Sequence, residues 1–177
     1  MPRKVIAFAA SSSINSINKQ LVTFAAGLLN EGQVEILDLN DFEMPLFSVD
    51  REAELGHPEL AQKFFALIGG CDGIIISLAE HNGNYSAAYK NLFDWASRIN
   101  PKVFQSKPVV LLATSPGGRG GKGVLEIAMN SMPRYAADIK ASLSVPGFYD
   151  VFDSEKAEIT DSVLLEQLSV SVNRLFD

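Results

Sequence analysis

Three short apolar runs recur along the chain and constrain its fold more than any other feature. They cover residues 5–10, 74–78 and 109–113, and turn-forming residues bound each of them. Apolar runs of this length are typical of strands that are buried on both faces of a parallel sheet. Two further segments, 34–39 and 139–145, alternate between apolar and polar residues, which predicts less buried strands at the edges of the sheet.

Segments with helical periodicity fill the gaps between these strands. Apolar residues spaced three and four positions apart predict helices within 21–29, 58–68, 88–99, 124–132 and 164–176. Gly32 is expected to end the first helix, and Pro58 to begin the second. Thr160 or Asp161 is expected to cap the last helix. The connection 42–57 has no predicted element and is long enough to be functional or mobile.

The order of these elements, five strands each followed by a helix, predicts an α/β fold with right-handed crossovers. With the second and fifth strands at the edges, we expect a flavodoxin-like three-layer α/β/α sandwich. Its five-stranded parallel sheet would have the order 2-1-3-4-5. Residues 1–177 are expected to form a single domain, because no repeat, linker or low-complexity segment interrupts them.

Composition argues against several other classes of protein. The chain has 15 Lys and Arg against 21 Asp and Glu, a formal net charge of −6, which disfavours a surface that follows nucleic-acid phosphates. The single cysteine excludes an intrachain disulfide and a cysteine-rich zinc site, and no metal site is predicted. No apolar run approaches the roughly 18 residues of a membrane span, and residues 1–6 lack the features of a signal peptide. We therefore expect a cytoplasmic protein that binds neither nucleic acid nor membranes.

Ligands of open α/β sheets bind beyond the carboxyl ends of the strands, where the strand order reverses. Three loops leave the predicted central strands at that edge. The first, 11–18, reads SSSINSIN and supplies hydroxyl and amide groups next to a helix N-terminus. The unsatisfied N–H groups and the dipole of that helix favour a phosphate held without Lys or Arg. Simple capping of the helix by one Ser or Asn is the alternative.

The second loop, 79–86, reads AEHNGNYS and offers surfaces for a planar ring. His81 and Tyr85 have flat faces, and Asn82 has both donors and acceptors. Gly83 allows a close approach of the backbone or a positive φ. Taken alone, however, the loop has the composition of an ordinary polar turn.

The third loop, 114–123, reads TSPGGRGGKG and contains five glycines within seven residues. So many glycines are costly to order, which is explained by close approach to a ligand or by a mobile lid. Gly118, Gly120 and Gly123 satisfy the pattern G-x-G-x-x-G. A dinucleotide-binding site needs that pattern after the first strand, with an acidic residue about 20 positions later, so we discard this interpretation.

Several motifs occur together in this chain. The first loop carries Ser11, Ser16 and Asn18 at the positions of the pattern G-S-x-R-x-x-S-x-N. The second loop carries Glu80 and Asn82 of P-E-Y-N, followed by KNLFDW at 90–95. The segments MPLF at 44–47 and SPGGRGG at 115–121 complete the set. Together these motifs resemble the NADPH-dependent FMN reductase family, which includes chromate, quinone and azo reductases of flavodoxin-like fold.

The chain departs from the family pattern at a few positions. Ser13 stands where the family usually has Arg, and Ala10 replaces Gly. In the second loop, Ala79 and Ser86 stand where the family usually has Pro, and His81 replaces Tyr. The missing Arg would remove a charge-assisted contact worth about 1.5–3 kcal/mol.

The resemblance implies FMN as cofactor, NADPH or NADH as co-substrate, and a small-molecule electron acceptor. It implies that the FMN phosphate lies in the first loop and its ring between the second and third loops. The cofactor-binding residues so implied are Ser11, Ser13, Ser16, Ile17, Asn18, Glu80, His81, Asn82, Gly83, Ser115, Pro116, Gly117 and Gly118. No catalytic residue is assigned, because the cofactor carries the chemistry. The resemblance also implies a homodimer or homotetramer.

Alternative interpretations stay open at this point. The same fold serves single-electron carriers of the flavodoxin type and non-catalytic flavin-binding or regulatory modules. Within the helix of the KNLFDW run, Trp95 is expected in the core or at a subunit contact and not against a flavin. Lys90 and Asp94 have the spacing of an ordinary surface ion pair.

Overall fold

The computed structural model describes residues 2–177 and contains one five-stranded parallel sheet of order β2-β1-β3-β4-β5. The strands are β1 (Lys4–Ala10), β2 (Gln33–Leu37), β3 (Gly73–Leu78), β4 (Pro108–Thr114) and β5 (Asp138–Val145). This topology confirms the predicted flavodoxin-like sheet order. Met1 lies outside the described residues. The predicted domain 1–177 and the prediction of no signal peptide at residues 1–6 both include it.

Within residues 2–177, seven α-helices accompany the sheet: α1 (Ile17–Gly27), α2 (Val49–Leu55), α3 (Glu59–Gly70), α4 (Ala87–Ile99), α5 (Lys122–Ser131), α6 (Phe148–Val151) and α7 (Ser162–Asn173). Helices α3, α4 and α5 pack on one face of the sheet, while α1 and α7 pack on the other. Within residues 2–177, no helix has both the length and the apolar character that crossing a bilayer requires.

The central strands are buried on both faces, which explains their short apolar runs. In β1, Ile6 and Phe8 point to the α3–α4–α5 face, while Val5 and Ala7 point to the α1–α7 face. The two edge strands are less buried, as their alternation predicts, because only one side of each is hydrogen-bonded to a neighbour. The apolar pattern therefore indicated both the position and the burial of each strand.

Helix boundaries differ from prediction where local caps override the apolar pattern. Helix α1 ends at Gly27 and not near Gly32, which instead adopts a φ of 121° just before β2. The connection 42–57 contains α2, which was not predicted. Ser48 caps α2 by accepting a hydrogen bond from Arg51 N at 3.1 Å, and Gly56 ends it with a φ of 65°. A small hairpin, β6 (Phe152–Asp153) and β7 (Glu158–Ile159), precedes α7 and was also not predicted.

Helix α4 clamps the segment that follows β2. The side chain of Asn91 accepts a hydrogen bond from Phe47 N at 2.8 Å and donates to Met44 O at 3.1 Å. Trp95 is fully buried, donates through Nε1 to Pro45 O at 2.7 Å, and meets the Phe47 ring edge-on at 5.1 Å. Two of the motifs that carry the family resemblance therefore bind each other and have a structural role.

The other two polar residues of the KNLFDW run form a surface pair. Lys90 Nζ lies 2.6 Å from Asp94 Oδ1 on the exposed side of α4, one helical turn apart. This confirms the ordinary interpretation of their i, i+4 spacing. An exposed pair of this kind contributes little to stability.

We expect Trp95→Phe to lower the free energy of unfolding by about 1–3 kcal/mol, because the Pro45 carbonyl loses its indole donor and the clamp loosens. Lys90→Ala, a control on the exposed side of the same helix, should cost less than about 1 kcal/mol. Urea unfolding followed by far-ultraviolet circular dichroism measures both. Equal losses in the two variants would contradict the structural role of the clamp.

Candidate functional site

The first loop connects β1 to α1 and presents uncharged hydrogen-bond donors. Ser16 is the N-cap of α1, and its Oγ accepts a hydrogen bond from Lys19 N at 3.2 Å. Within residues 2–177, the backbone N–H groups of Ile17 and Asn18 have no hydrogen-bond partner. The first turn of α1 contains no acidic residue, so its positive dipole end is free to attract an anion. Both capping and anion binding are therefore compatible with this loop.

The first loop contains no cation of its own. Lys19, in the first turn of α1, is bound by the carboxylate of Asp38. That hydrogen bond and one from the backbone N–H of Asn40 hold the pKa of Asp38 below its usual value, so the pair stays charged. Ser13 is exposed, and its N–H donates to Ser11 Oγ at 3.2 Å. An anion here would be held by hydroxyl and backbone groups.

The side chain of Asn18 is committed to the interior of the protein. It is 3% exposed, and its Oδ1 accepts hydrogen bonds from Ser77 Oγ at 2.7 Å and from Thr114 N at 3.1 Å. Its Nδ2 donates to Thr114 O at 3.3 Å. These bonds join α1 to β3 and β4. They leave Asn18 its backbone N–H and one amide hydrogen for a ligand, and they give its side chain a positioning role that the sequence did not predict.

The second loop, 79–86, contains a tight hairpin with a two-residue turn. His81 N donates to Asn84 O at 2.9 Å, and Asn84 N donates to His81 O at 3.1 Å. Between them, Asn82 and Gly83 have φ values of 52° and 77°, as a turn with two left-handed residues requires. The Asn-Gly pair is a strong sequence signal for such a hairpin, which the prediction of a polar turn did not use. His81, Asn82 and Gly83 are exposed at its tip.

Two polar residues that flank this hairpin bind neighbouring loops. Glu80 Oε2 accepts a hydrogen bond from Val124 N, in the first turn of α5, at 2.8 Å. Ser86 is buried, caps α4, and donates through Oγ to Ala10 O at 2.8 Å. Ser86 therefore connects the second loop to the end of β1, and Glu80 connects it to the helix that follows the third loop.

At three of the five glycines in the third loop, a Cβ would come into close contact with another part of the chain. Gly120 has a φ of 57°, and a Cβ there would lie 2.5 Å from Ser144 Oγ. Gly121 has a φ of 72°, and a Cβ there would lie 3.0 Å from Ala113 Cβ. At Gly123 a Cβ would lie 2.8 Å from the carboxylate of Glu80.

The remaining two glycines, Gly117 and Gly118, have open space around them. Both are exposed, and a Cβ built on either would meet no atom within 4 Å. Neither has a positive φ. Since neither backbone conformation nor packing requires glycine at these positions, a ligand that approaches the backbone closely would explain them.

The third loop is anchored and not a detached lid. Gly147 N donates to Gly117 O at 3.0 Å, and Phe148 N donates to Ser115 O at 3.1 Å. Ser115 Oγ also donates to Gly117 O at 3.2 Å, while Pro116 is exposed beside them. Of the two explanations for the glycines, this tethering to the segment after β5 favours ligand approach over a mobile lid.

The three loops form an open surface at the carboxyl edge of β1, β3 and β4. Several grooves lie on the surface of residues 2–177, and two of them illustrate that the site is not a deep pocket. One of about 560 Å³ is at the opposite edge of the sheet, beside Lys4 and Gln33. Another of about 210 Å³ lies between α4 and α5, beside Tyr89 and Tyr135. None of the predicted cofactor-binding residues lines either groove, so the candidate site is identified by its donors and open glycines and not by depth.

Comparison with known proteins identifies a family and several relatives of this chain. A family model described as NADPH-dependent FMN reductase matches residues 3–149. An NADPH:quinone oxidoreductase of Arabidopsis thaliana is 32% identical over 123 residues, which is 67% of this chain and 61% of that protein. An NAD(P)H-dependent FMN reductase of Pseudomonas aeruginosa is 31% identical over 118 residues, 66% of this chain and 62% of that protein. The match thus spans about three fifths of the length of these relatives.

Solved structures share the fold at lower identity. A flavoenzyme NAD(P)H:(acceptor) oxidoreductase from Paracoccus denitrificans superposes with a TM-score of 0.77 at 22% identity, covering 98% of this chain and 94% of that one. An azoreductase from Bacillus anthracis gives a TM-score of 0.66 at 16% identity, covering 97% and 99%. These two likenesses establish the flavodoxin-like fold alone. Because the family model covers well over half of the sequence, the chain belongs to the NADPH-dependent FMN reductase family.

Proposed function

We propose that this protein is an FMN-dependent NAD(P)H oxidoreductase whose acceptor is a flavin, a quinone, an azo compound or a metal oxyanion. One observation carries the proposal: unpaired, uncharged donors at the start of α1 share an edge of the sheet with two glycines that packing does not require. Membership of the family implies FMN as cofactor and NADPH or NADH as co-substrate. When bound, FMN would supply the redox chemistry that moves electrons from the nicotinamide to the acceptor.

The residues of the first loop fit the phosphate of FMN. The N–H groups of Ile17 and Asn18 and the hydroxyls of Ser11, Ser13 and Ser16 would hold it. The absence of acidic residues from the first turn of α1 leaves the helix dipole uncompensated, which favours a dianion.

The residues of the other two loops fit a planar ring. The hairpin tip at His81, Asn82 and Gly83, with Glu80 behind it, would lie on one side of the ring. The segment 115–118, made of Ser115, Pro116 and the two open glycines, would lie on the other. Both segments are held by hydrogen bonds to their neighbours, so they would orient the ring without adjusting to it.

The chain's own residues would bind and orient, and we assign none of them a proton-transfer step. His81 is exposed, and within residues 2–177 its side chain makes no hydrogen bond that would fix its orientation as an acid or base. The single thiol, Cys71, is buried, and burial raises its pKa, which makes it a poor nucleophile. A site that only holds the cofactor suits a reaction in which two substrates use one ring face in turn.

Flavin binding and turnover together test this function. We expect the purified protein to bind FMN more tightly than riboflavin, as measured by quenching of flavin fluorescence. We expect NADPH or NADH to bleach the bound flavin under anaerobic conditions, and benzoquinone to support continuous NAD(P)H oxidation. Flavin binding without reduction by either nucleotide would indicate an electron carrier or a regulatory module. Absence of flavin binding would contradict the proposal altogether.

A pair of glycine substitutions tests the placement of the ring. Gly117→Ala adds a methyl group where it meets no protein atom, so we expect an unchanged melting temperature and weaker FMN binding. Gly120→Ala places a methyl group 2.5 Å from Ser144 Oγ at a positive φ, so we expect a loss of stability of about 1–3 kcal/mol. Thermal melts and flavin titrations distinguish the two effects. Unchanged FMN affinity in Gly117→Ala would remove this segment from the site.

We also propose that the protein acts in the cytoplasm, where NADPH is supplied, as a homodimer or homotetramer. Leu46 and Val49 support a subunit contact, because they are 65% and 72% exposed on a segment that α4 holds in a fixed position. Sedimentation velocity should give a mass of at least twice 19.2 kDa. A single species at the monomer mass would contradict this assembly.

A further inference from the structure

The N-terminus of α5 is capped by a side chain that comes from a different loop. The N-cap position is Gly121, which has no side chain, and the first turn of α5 contains no acidic residue. Glu80 of the second loop supplies the missing group, because its Oε2 accepts the hydrogen bond from Val124 N at 2.8 Å. A carboxylate at this position satisfies an N–H group that the helix leaves unpaired and complements the helix dipole.

Gly123 provides the space that this carboxylate occupies. A Cβ at Gly123 would lie 2.8 Å from Oε2, 3.3 Å from Cδ and 3.4 Å from Oε1 of Glu80. The whole carboxylate therefore packs against the backbone of the first turn of α5. Gly123 lies within α5 and its φ is not positive, so its backbone conformation would accept alanine if the carboxylate were absent. The Glu80 carboxylate therefore occupies the space that a side chain at position 123 would need.

We propose that Glu80 is a positioning residue that fixes the second loop relative to the third and thereby holds the flavin ring between them. This inference rests on the proposed function. Glu80 directly precedes the hairpin at His81, and its partner Val124 lies in the first turn of α5, the helix that continues from the third loop. One hydrogen bond therefore joins the hairpin to the helix that follows the segment 115–118. The phosphate donors of the first loop are not part of this connection. Loss of the bond should therefore weaken binding of the ring and leave the phosphate contacts intact.

Flavin affinities test this separation of ring and phosphate. Dissociation constants for FMN and for riboflavin are measured by fluorescence quenching with the wild type, Glu80→Ala and Glu80→Gln. We expect Glu80→Ala to raise both constants about tenfold or more and by the same factor. Glu80→Gln should recover part of the loss, because its amide oxygen can still accept the Val124 N–H. Ser16→Ala, by contrast, should weaken FMN binding more than riboflavin binding.

A double-mutant cycle tests the contact itself. Gly123→Ala should weaken flavin binding in the wild-type background and have no further effect in Glu80→Ala, because the clash partner is then gone. Asp161→Ala is the matched control: it removes the α7 cap, whose Oδ1 accepts from Leu164 N at 2.9 Å, outside the three loops. It should lower the melting temperature and leave both flavin constants unchanged.

The possible failures are distinguishable. If the wild type binds neither FMN nor riboflavin, the proposed function and this inference are both wrong. If the wild type binds flavin and Glu80→Ala binds both flavins equally well, only the inference is overturned. Additive effects of Gly123→Ala and Glu80→Ala, or a loss confined to FMN, would also overturn it, because either result means that Glu80 does not act through α5 on the ring.

Discussion

The buried amide of Asn18 is the contact on which the arrangement of the candidate site depends. It lies where the first helix passes over β3 and β4, and it bonds Ser77 and both backbone groups of Thr114. A buried amide is costly unless its polar atoms are paired, and three bonds satisfy it here. In return it fixes the start of α1, where the proposed phosphate donors lie, against the end of β4, where the third loop begins. Loops positioned in this way need little ordering when a ligand binds.

An anionic cofactor on a protein of net charge −6 requires a locally favourable field. The first loop has no cation, and the charge of Lys19 is already compensated by Asp38. The remaining source of positive potential is the N-terminus of α1, whose N–H groups are already oriented by the fold and need no reorganisation to bind an anion. In the proposed site, hydroxyl and backbone donors that the scaffold orients would take the place of the arginine that the family usually has at position 13.

The sheet and most of its helices could be predicted from the period of the apolar residues. Strands buried on two faces have continuous apolar runs, and strands buried on one face alternate between apolar and polar residues. Single contacts between distant segments leave no such pattern. The five glycines of the third loop look alike in sequence, yet a Cβ at Gly120 would meet Ser144 and the backbone of Pro146, and a Cβ at Gly123 would meet Glu80, on another loop. Which two remain open to a ligand depends on those neighbours. Ser48 and Gly56, which cap α2, are ordinary cap residues, but none of the residues of this helix is buried, so it has no apolar period to predict it.

Ser86 shows how a departure from the family pattern can stabilise the same site by another means. Proline at this position would stiffen the loop but has no side-chain donor. The serine caps α4 and donates to Ala10 O, so it attaches the second loop to the end of β1. With Glu80 holding the same loop to α5, both ends of the hairpin are attached to neighbouring elements. Because rigid loops lose less entropy on binding, we expect these tethers to offset part of the contact that an arginine at position 13 would make in the proposed site.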